Sequence, residues 1–238
     1  LVGSEMCIRD SPYIMQKDIK KAFIKVGIGA EKKSKVISDK EKKITAYHEA
    51  GHAILFHVLP HMDPVYTISI IPTGMGAAGY TMPLPDNDEM FNTKNKMLED
   101  ITTLLGGRVA EEIIFGDITT GASNDIKRAT ETARSMVMKY GMSEKIGLIA
   151  YGNDDDEVFI GRDLAHTRGY SEEVAREIDG EISRIIRECH ENAESIIREN
   201  IGVLHSCAAL LLEKEKIHRE EFEALFTTEK EEVAKTNE

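Results

Sequence analysis

The feature that most constrains this chain is the run His48-Glu49-Ala50-Gly51-His52, in which two imidazoles lie four residues apart and a carboxylate follows the first. On an α-helix, residues i and i+4 lie on one face about one turn apart, so both rings can reach one cation. Neutral imidazole suits zinc, which leaves room for a third protein ligand and a water molecule. Glu49 lies about 100° around the helix from His48. It is therefore poorly placed as a third ligand but well placed to accept a proton from that water.

The residues around this run predict a helix with a buried edge. Ser38 and Glu41 are spaced as a capping box, in which each side chain accepts a hydrogen bond from the backbone amide of the other residue. Apolar or small residues share an arc of about 100° next to His48. They are Ile44, Tyr47, Gly51, Ile54, Leu55 and Val58. Both histidines of the motif thus border a buried stripe that would shield a metal from bulk water. His57 lies nearly opposite and is predicted to be solvated.

The third ligand must come from farther along the chain, because no Glu occurs between residues 49 and 89. A helix is predicted over residues 124–140, and Asp125 falls on its core side. The apolar residues that share this side are Ile126, Ala129, Ala133, Met136 and Tyr140. An acid in the first turn normally serves the helix dipole from the solvent side, so an inward one needs a partner, which zinc would supply. Asp125 is the leading candidate, ahead of Glu111 and Glu112.

A hairpin is predicted after the histidine helix. Residues 65–71 are rich in β-branched side chains and alternate in polarity, which favours a strand, and the glycine-containing stretch 74–81 then returns. Two interpretations of the glycines stay open. They serve turn geometry alone, or they form a small-residue edge strand that lets a peptide backbone pair with it. The second interpretation predicts six substrate-binding residues, namely Gly76, Ala77, Ala78, Gly79, Tyr80 and Thr81.

A further helix is predicted over residues 92–115, with five apolar side chains directed inward. These are Leu98, Ile101, Leu104, Leu105 and Val109. Gly106 and Gly107 weaken the middle of this helix, either as a break or as a site of close packing against a neighbouring helix. Glu111 lies at the edge of the buried arc, where it can contact a polar site.

These elements predict a mainly α fold, with a small β-hairpin and edge strand beside the histidine helix and a helical bundle at the C-terminal end. The main domain is expected to span residues 36–226. Residues 227–238 are polar and predicted to be disordered. Residues 1–12 lack periodicity and are expected to be a non-native, adapter-derived segment. Residues 13–35 are expected to be the tail of an upstream domain and a charged linker.

Composition excludes several classes of function. The net charge of −12 argues against non-specific binding to nucleic acid or anionic lipid, which favour basic surfaces. The three cysteines form no Cys-x-x-Cys pair, which favours a reducing compartment. The longest apolar runs fall far short of the roughly 18 residues that a membrane helix needs. No phosphate-binding Gly-x-x-x-x-Gly-Lys-Ser/Thr motif is present, so ATP is not expected to bind to this sequence.

Three motifs together carry a resemblance to a known family. They are Ala46-Tyr47-His48-Glu49-Ala50-Gly51-His52-Ala53, Leu105-Gly106-Gly107-Arg108-Val109-Ala110-Glu111-Glu112-Ile113 and Thr120-Gly121-Ala122-Ser123-Asn124-Asp125-Ile126. In this order they are similar to the peptidase domain of the FtsH family, the membrane-anchored ATP-dependent zinc proteases. The resemblance covers about residues 14–225, and residues 17–29 resemble the end of the family's AAA lid.

The resemblance implies His48, His52 and Asp125 as ligands of one zinc ion, Glu49 as general base and Glu111 as a partner of the zinc site. It also implies that the strand near residues 77–81 forms a groove for unfolded polypeptide substrates. For a full-length protein it implies an upstream AAA domain that uses ATP, a ring of six subunits, and a membrane anchor. The peptidase domain would then lie on the cytoplasmic side of the bacterial inner membrane.

Two other classes of function stay open. One is a catalytically silent scaffold that keeps zinc for stability, against which the intact Glu49 argues. The other is a helical assembly module with incidental histidines. A chelator-sensitive peptidase assay tests the first, and metal analysis tests the second.

Overall fold

A computed structural model describes residues 15–27, 29–31, 37–74, 77–85, 90–151 and 170–236. The segment 1–12, expected to be non-native, lies outside these ranges. The helices in chain order are α1 (Gln16–Gly27), α2 (Asp39–Val58), α3 (Lys94–Phe115), α4 (Ser123–Met138), α5 (Glu172–Glu199), α6 (Ile201–Lys214) and α7 (Arg219–Thr236). The strands are β1 (Val65–Ser69), β2 (Tyr80–Pro83) and β3 (Lys216–His218). The predicted mainly α fold with a small hairpin is confirmed.

Helix α2 begins with the predicted capping box. The Ser38 hydroxyl accepts a hydrogen bond from the Glu41 amide, and the Glu41 carboxylate accepts one from the Ser38 amide. The middle of the helix is buried, as the apolar arc predicts, and both histidines are buried with it. The prediction for Val58 is wrong, because the last turn of the helix emerges from the core and leaves that side chain exposed.

The strands form one antiparallel sheet in the order β2-β1-β3. Ile68 pairs with Thr81 and Ser69 with Tyr80, which confirms the hairpin. In the described part of the chain β2 pairs with β1 alone, so it is an edge strand. The sequence did not indicate β3, because three residues are too few to show the two-residue period of a strand. This strand pairs with β1 and joins the C-terminal segment to the hairpin.

Helices α2 and α3 pack with their backbones in close contact at two glycines. A Cβ atom built on Gly51 would lie 2.5 Å from the carbonyl oxygen of Gly106, and one on Gly106 would lie 2.6 Å from Cδ1 of Leu55. Helix α3 runs unbroken through its glycine pair and ends at Phe115, where Gly116 forms the C-cap with φ 61°. Of the two interpretations of Gly106 and Gly107, the structure therefore supports close packing.

Helix α3 also links two hydrophobic clusters. Val109 and Ala110, in its C-terminal half, belong to the cluster that contains residues of α2, β1, α6 and the start of α7. Ile101 and Leu105, in its N-terminal half, pack with α4 and α5. The helix that carries the histidines and the helix that carries Asp125 are thus held by opposite halves of one element.

Three predictions near helix ends differ from the structure. Ile126 and Tyr140 were predicted on the core side but are exposed. Helix α4 ends at Met138, so Tyr140 no longer follows the helical period. The prediction of a disordered tail from residue 227 also differs, because α7 extends to Thr236. The Glu, Lys and Ala residues of that segment favour helix.

Among the described residues, no single helix has the length and hydrophobicity to cross a membrane. Taken together, α5 and α6 satisfy the same length and composition criteria, but they bend by 79° at the break between them.

Candidate metal centre

Side chains from two helices converge at one point beside α3. The Nε2 atoms of His48 and His52 lie 3.1 Å apart. Oδ2 of Asp125 lies 3.5 Å from the first and 3.7 Å from the second. Zinc bonds of about 2.0–2.1 Å in tetrahedral geometry place neighbouring ligand atoms about 3.3 Å apart. The three separations therefore have the dimensions of a zinc site.

The other nitrogen of each ring fixes which atom faces this point. Nδ1 of His52 lies 2.7 Å from the carbonyl oxygen of Thr103, which can only accept a hydrogen bond. Nδ1 of His48 lies 2.7 Å from Oε1 of Glu111. Both rings therefore donate through Nδ1 and direct Nε2 lone pairs toward Asp125. Two lone pairs and a carboxylate oxygen at these distances repel one another unless a cation or a proton lies between them.

Glu111 joins this site to the loop that precedes α4. Its second carboxylate oxygen, Oε2, accepts the backbone N–H of Thr119 at 2.9 Å. The Thr119 hydroxyl in turn accepts the N–H of Gly121 in a short 3₁₀ turn that leads directly into α4. Asp125 lies in the first turn of α4. These hydrogen bonds therefore fix the position of the helix start that carries its carboxylate.

The candidate third ligands named from the sequence occupy different positions. Asp125 is near both Nε2 atoms, and Glu111 is behind the His48 ring at Nδ1. Glu112 contacts Arg108 at 2.9 Å and His190 at 3.1 Å, away from this point. The Thr103 carbonyl was not anticipated, because a backbone acceptor inside a helix leaves no signal in the sequence.

Gly107 is a second residue that the sequence analysis did not assign to the site. A Cβ atom built there would lie 2.5 Å from both Cε1 and Nε2 of His48. Only glycine lets the ring lie against the backbone of α3. The adjacent pair Gly106-Gly107 was the available signal, since each glycine admits a different neighbour.

The charges of the site favour a positive species at its centre. Burial opposes protonation of His48, but its hydrogen bonds to Asp125 and Glu111 outweigh burial and raise its pKa to about 10. Burial alone would raise the pKa of Asp125 and of Glu111. The contacts of Asp125 with His48 and His52, and of Glu111 with His48, lower both pKa values instead. The acids are therefore ionised, and they favour a metal cation at the same place as the proton.

Glu49 is buried near His48 and His52, and its carboxylate contacts the edge strand. Burial raises the pKa of its carboxyl group, although the neighbouring His48 and His52 oppose that shift. Its Oε2 accepts a hydrogen bond from the Thr81 hydroxyl at 2.9 Å. A carboxylate with a raised pKa next to a metal site has the character of a general base.

The predicted substrate strand is only partly accessible. Gly76 lies outside the described residues. Ala77 and Ala78 are exposed, Gly79 and Tyr80 are buried, and Thr81 is half-buried against Glu49. The Tyr80 hydroxyl contacts Glu31 at 3.0 Å and Lys216 at 2.9 Å.

The sequence profile of Peptidase family M41 matches residues 35–225.

The chain belongs to peptidase family M41.

Relatives of this M41 chain carry zinc protease names. It is 52% identical over 221 residues to "ATP-dependent zinc metalloprotease FtsH 1" of Thermoanaerobacter sp. (strain X514), covering 93% of this chain and 36% of the relative. It is 54% identical over 212 residues to "ATP-dependent zinc metalloprotease FtsH" of Caldicellulosiruptor bescii, covering 89% and 34%. The protein of that name from Thermotoga maritima is 49% identical over 220 residues, covering 92% and 36%.

The M41 chain thus spans about a third of the length of the curated relatives it matches. The family match and these relatives confirm the resemblance to the FtsH peptidase domain. Within the described part of the chain, one group of His, Cys, Asp or Glu side chains lies close enough together to hold a metal ion. It consists of His48, His52 and Asp125.

Proposed function

We propose that this M41 chain is a zinc endopeptidase domain in which His48, His52 and Asp125 bind one zinc ion and Glu49 is the general base. One observation carries the proposal. The Nε2 atoms and the Asp125 carboxylate lie 3.1–3.7 Å apart while Glu111 and the Thr103 carbonyl hold each ring by its opposite nitrogen. Two imidazoles and one carboxylate suit zinc and leave a position for reactants.

Zinc, when bound, supplies a Lewis acid that polarises a peptide carbonyl and makes water a nucleophile near neutral pH. Glu49 accepts the proton of the attacking water and delivers it to the nitrogen of the departing amine. Its burial supports both transfers, because a raised pKa brings the carboxyl group closer to the pH at which it must accept and release a proton. Glu111 and the Thr103 carbonyl keep the two imidazoles in the tautomer that binds a metal.

The substrate is proposed to be an extended, unfolded polypeptide that pairs with the edge of the sheet. The residues proposed to line this groove are those from Gly76 to Thr81. Support comes from the edge position of β2, and from the small, exposed side chains of Ala77 and Ala78 that precede it. Pairing through backbone groups gives affinity with little dependence on sequence.

The wider setting is also a proposal. We propose that residues 36–226 are the peptidase domain and that residues 13–35 are the tail of an AAA lid with its linker. In a full-length protein, an upstream AAA domain would use ATP, six subunits would form a ring, and an N-terminal anchor would hold the ring at the cytoplasmic side of a bacterial inner membrane. The printed names of the relatives, which include "ATP-dependent", support the ATPase part of this proposal.

The decisive test is Glu49→Gln, which keeps the shape of the side chain and removes its basicity. The variant is expected to bind zinc like the parent chain and to lose hydrolysis of unfolded casein. Glu213→Gln, which changes an exposed acid of α6, is the control and is expected to keep full activity. Casein hydrolysis by Glu49→Gln at the parent rate would refute the role of the base. A parent chain that binds zinc but shows no chelator-sensitive hydrolysis would favour the silent scaffold.

A further inference from the structure

Thr81 makes an unusual contact for a residue of a substrate strand. Its hydroxyl lies 2.9 Å from Oε2 of Glu49 and 3.0 Å from the backbone carbonyl oxygen of the same residue. Both of these oxygens can only accept when the carboxylate is ionised, so the hydroxyl donates its single proton to the pair. The side chain of Thr81 therefore points at the general base and not at the free edge of the sheet.

The backbone of the same strand region encloses the other carboxylate oxygen. A Cβ atom built on Gly79 would lie 2.9 Å from Oε1 of Glu49 and 2.8 Å from Cγ2 of Thr45. Glycine at this position leaves room for the carboxylate. Gly79 and Thr81 thus contact the two oxygens of one side chain, and Thr81 supplies the hydrogen bond.

We propose that Thr81 is a positioning residue for Glu49, and that its hydroxyl holds the carboxylate in one orientation next to His48 and His52. The inference rests on the proposed role of Glu49 as general base. It assigns the Thr81 side chain the task of positioning Glu49, while peptide pairing is left to the Thr81 backbone. Hydrogen bonds to a charged acceptor are among the stronger ones in proteins, so the contact is adequate for this task.

The same strand, β2, thus positions both the general base and the substrate. Thr81 belongs to β2, whose pairing with Ile68 of β1 is fixed by the sheet. A peptide added to the free edge of β2 would be aligned by the backbone of this strand, and the Thr81 side chain of the same strand orients Glu49. A shift of β2 would therefore move the scissile bond and the base together.

The test is Thr81→Val, which replaces the hydroxyl by a methyl group and keeps the β-branched shape. With an unfolded peptide as substrate, kcat is expected to fall roughly tenfold to a hundredfold, the range for losing a hydrogen bond to a charged group. KM is expected to change less than about twofold, because the backbone of β2 is retained. Zinc content should equal that of the parent chain. Thr81→Ser restores the hydroxyl and is expected to recover most of kcat.

A crystal structure of the metal-free Thr81→Val chain gives a readout independent of activity. The Glu49 carboxylate is expected to leave the position it occupies in the parent chain and in Thr81→Ser. The matched control is Thr67→Val, which removes another buried hydroxyl of the sheet, bonded at 3.1 Å to the carbonyl oxygen of Ile217. That variant should lose stability but keep kcat.

An unmoved carboxylate in Thr81→Val, or a parent-like kcat, would overturn the positioning role. A rise in KM without a fall in kcat would overturn it as well, and it would assign the Thr81 side chain to peptide binding. If the parent chain itself hydrolysed no peptide, the proposed function would fail, and the position of Glu49 in the metal-free crystals would still decide the inference.

Discussion

Nδ1 of His48 lies 2.7 Å from Oε1 of Glu111, and the second oxygen of that carboxylate accepts the N–H of Thr119. One fully buried side chain thus connects a candidate ligand on α2 with the loop that leads to Asp125 on α4. The orientation of the ring and the placement of the third candidate ligand depend on each other through Glu111.

Glu111→Gln tests this connection. The amide keeps the size of the side chain but loses its charge. Its NH₂ group cannot accept a hydrogen bond, so the contact with either His48 or Thr119 is lost. Zinc affinity, measured by competition with a chelator, is expected to fall about 10-fold to 100-fold, as for other partners of metal-bound histidines. Glu112→Gln is the control, because Glu112 contacts Arg108 and His190 instead. Equal losses in both variants would show a general charge effect.

Asp125→Asn tests the third ligand. The amide retains one oxygen but no charge, so zinc affinity is expected to fall by at least about tenfold while the helical circular dichroism signal stays unchanged. Dialysis against a zinc buffer followed by metal analysis measures the change. Asp179→Asn, at an exposed position of α5, is the control. Full zinc retention by Asp125→Asn would mean that another residue completes the site.

Gly107→Ala tests the contact between α3 and the His48 ring. The new methyl group would lie 2.5 Å from ring atoms, so the ring or the helix must move. We expect a loss of about 1–3 kcal/mol in the free energy of unfolding from overpacking, together with weaker zinc binding. Chemical denaturation and chelator competition measure the two effects.

Gly180→Ala is the matched control for that substitution. Gly180 lies inside α5, and a Cβ atom built there meets nothing within 4 Å. Alanine in this exposed helical position should stabilise the chain by about 0.5–1 kcal/mol and leave zinc binding unchanged. A similar loss of stability in Gly180→Ala, where the new methyl group meets no neighbour, would show that the loss in Gly107→Ala is not specific to contact with the His48 ring.

The loss of stability that a rise in pH causes in the metal-free chain should be abolished when zinc is bound. In the metal-free chain the pKa of His48 is raised from 6.5 to about 10 by Asp125 and Glu111, although burial opposes this shift. The stability that this proton contributes is fully present below pH 6.5 and is lost as the pH rises through about 10. Zinc must displace the proton, so its affinity rises as the pH rises.

The increase in melting temperature on adding zinc should therefore grow between about pH 6 and pH 9. Differential scanning fluorimetry with and without zinc, across that interval, measures it. A zinc-induced increase that stays constant or shrinks with pH would mean that no proton is displaced from the histidines.

The sequence allowed a good prediction of features whose cause is local. Ser38 and Glu41 are three residues apart and form the cap of α2, and the histidine spacing places both rings on one face of that helix. The apolar residues of α4 that lie well inside the helix, such as Ala129 and Met136, are buried as predicted. Each of these features depends on a few neighbouring residues and on the geometry of one helix.

Features that depend on helix ends or on distant partners were harder to predict. Tyr140 was placed on the core side because the helix was extended two residues too far. Strand β3 exists because β1 offers it an edge 150 residues away in sequence, as the Thr67–Ile217 hydrogen bond shows. The direction of the Thr81 side chain likewise depends on how β2 lies against α2, which no local pattern encodes.

The backbone contact between Gly51 and Gly106 has a consequence for how this site can change in evolution. Gly51 lies between the two histidines, and Gly106 lies next to the glycine beneath the His48 ring, so the gap between α2 and α3 is set by main-chain atoms. A side chain added at either glycine would push the two helices apart, and no exchange of side chains there can bring them closer. Adaptation to an ion of another radius would have to proceed through the loop before α4. Asp125, at the start of α4, is the one candidate ligand of the three that is carried by neither α2 nor α3.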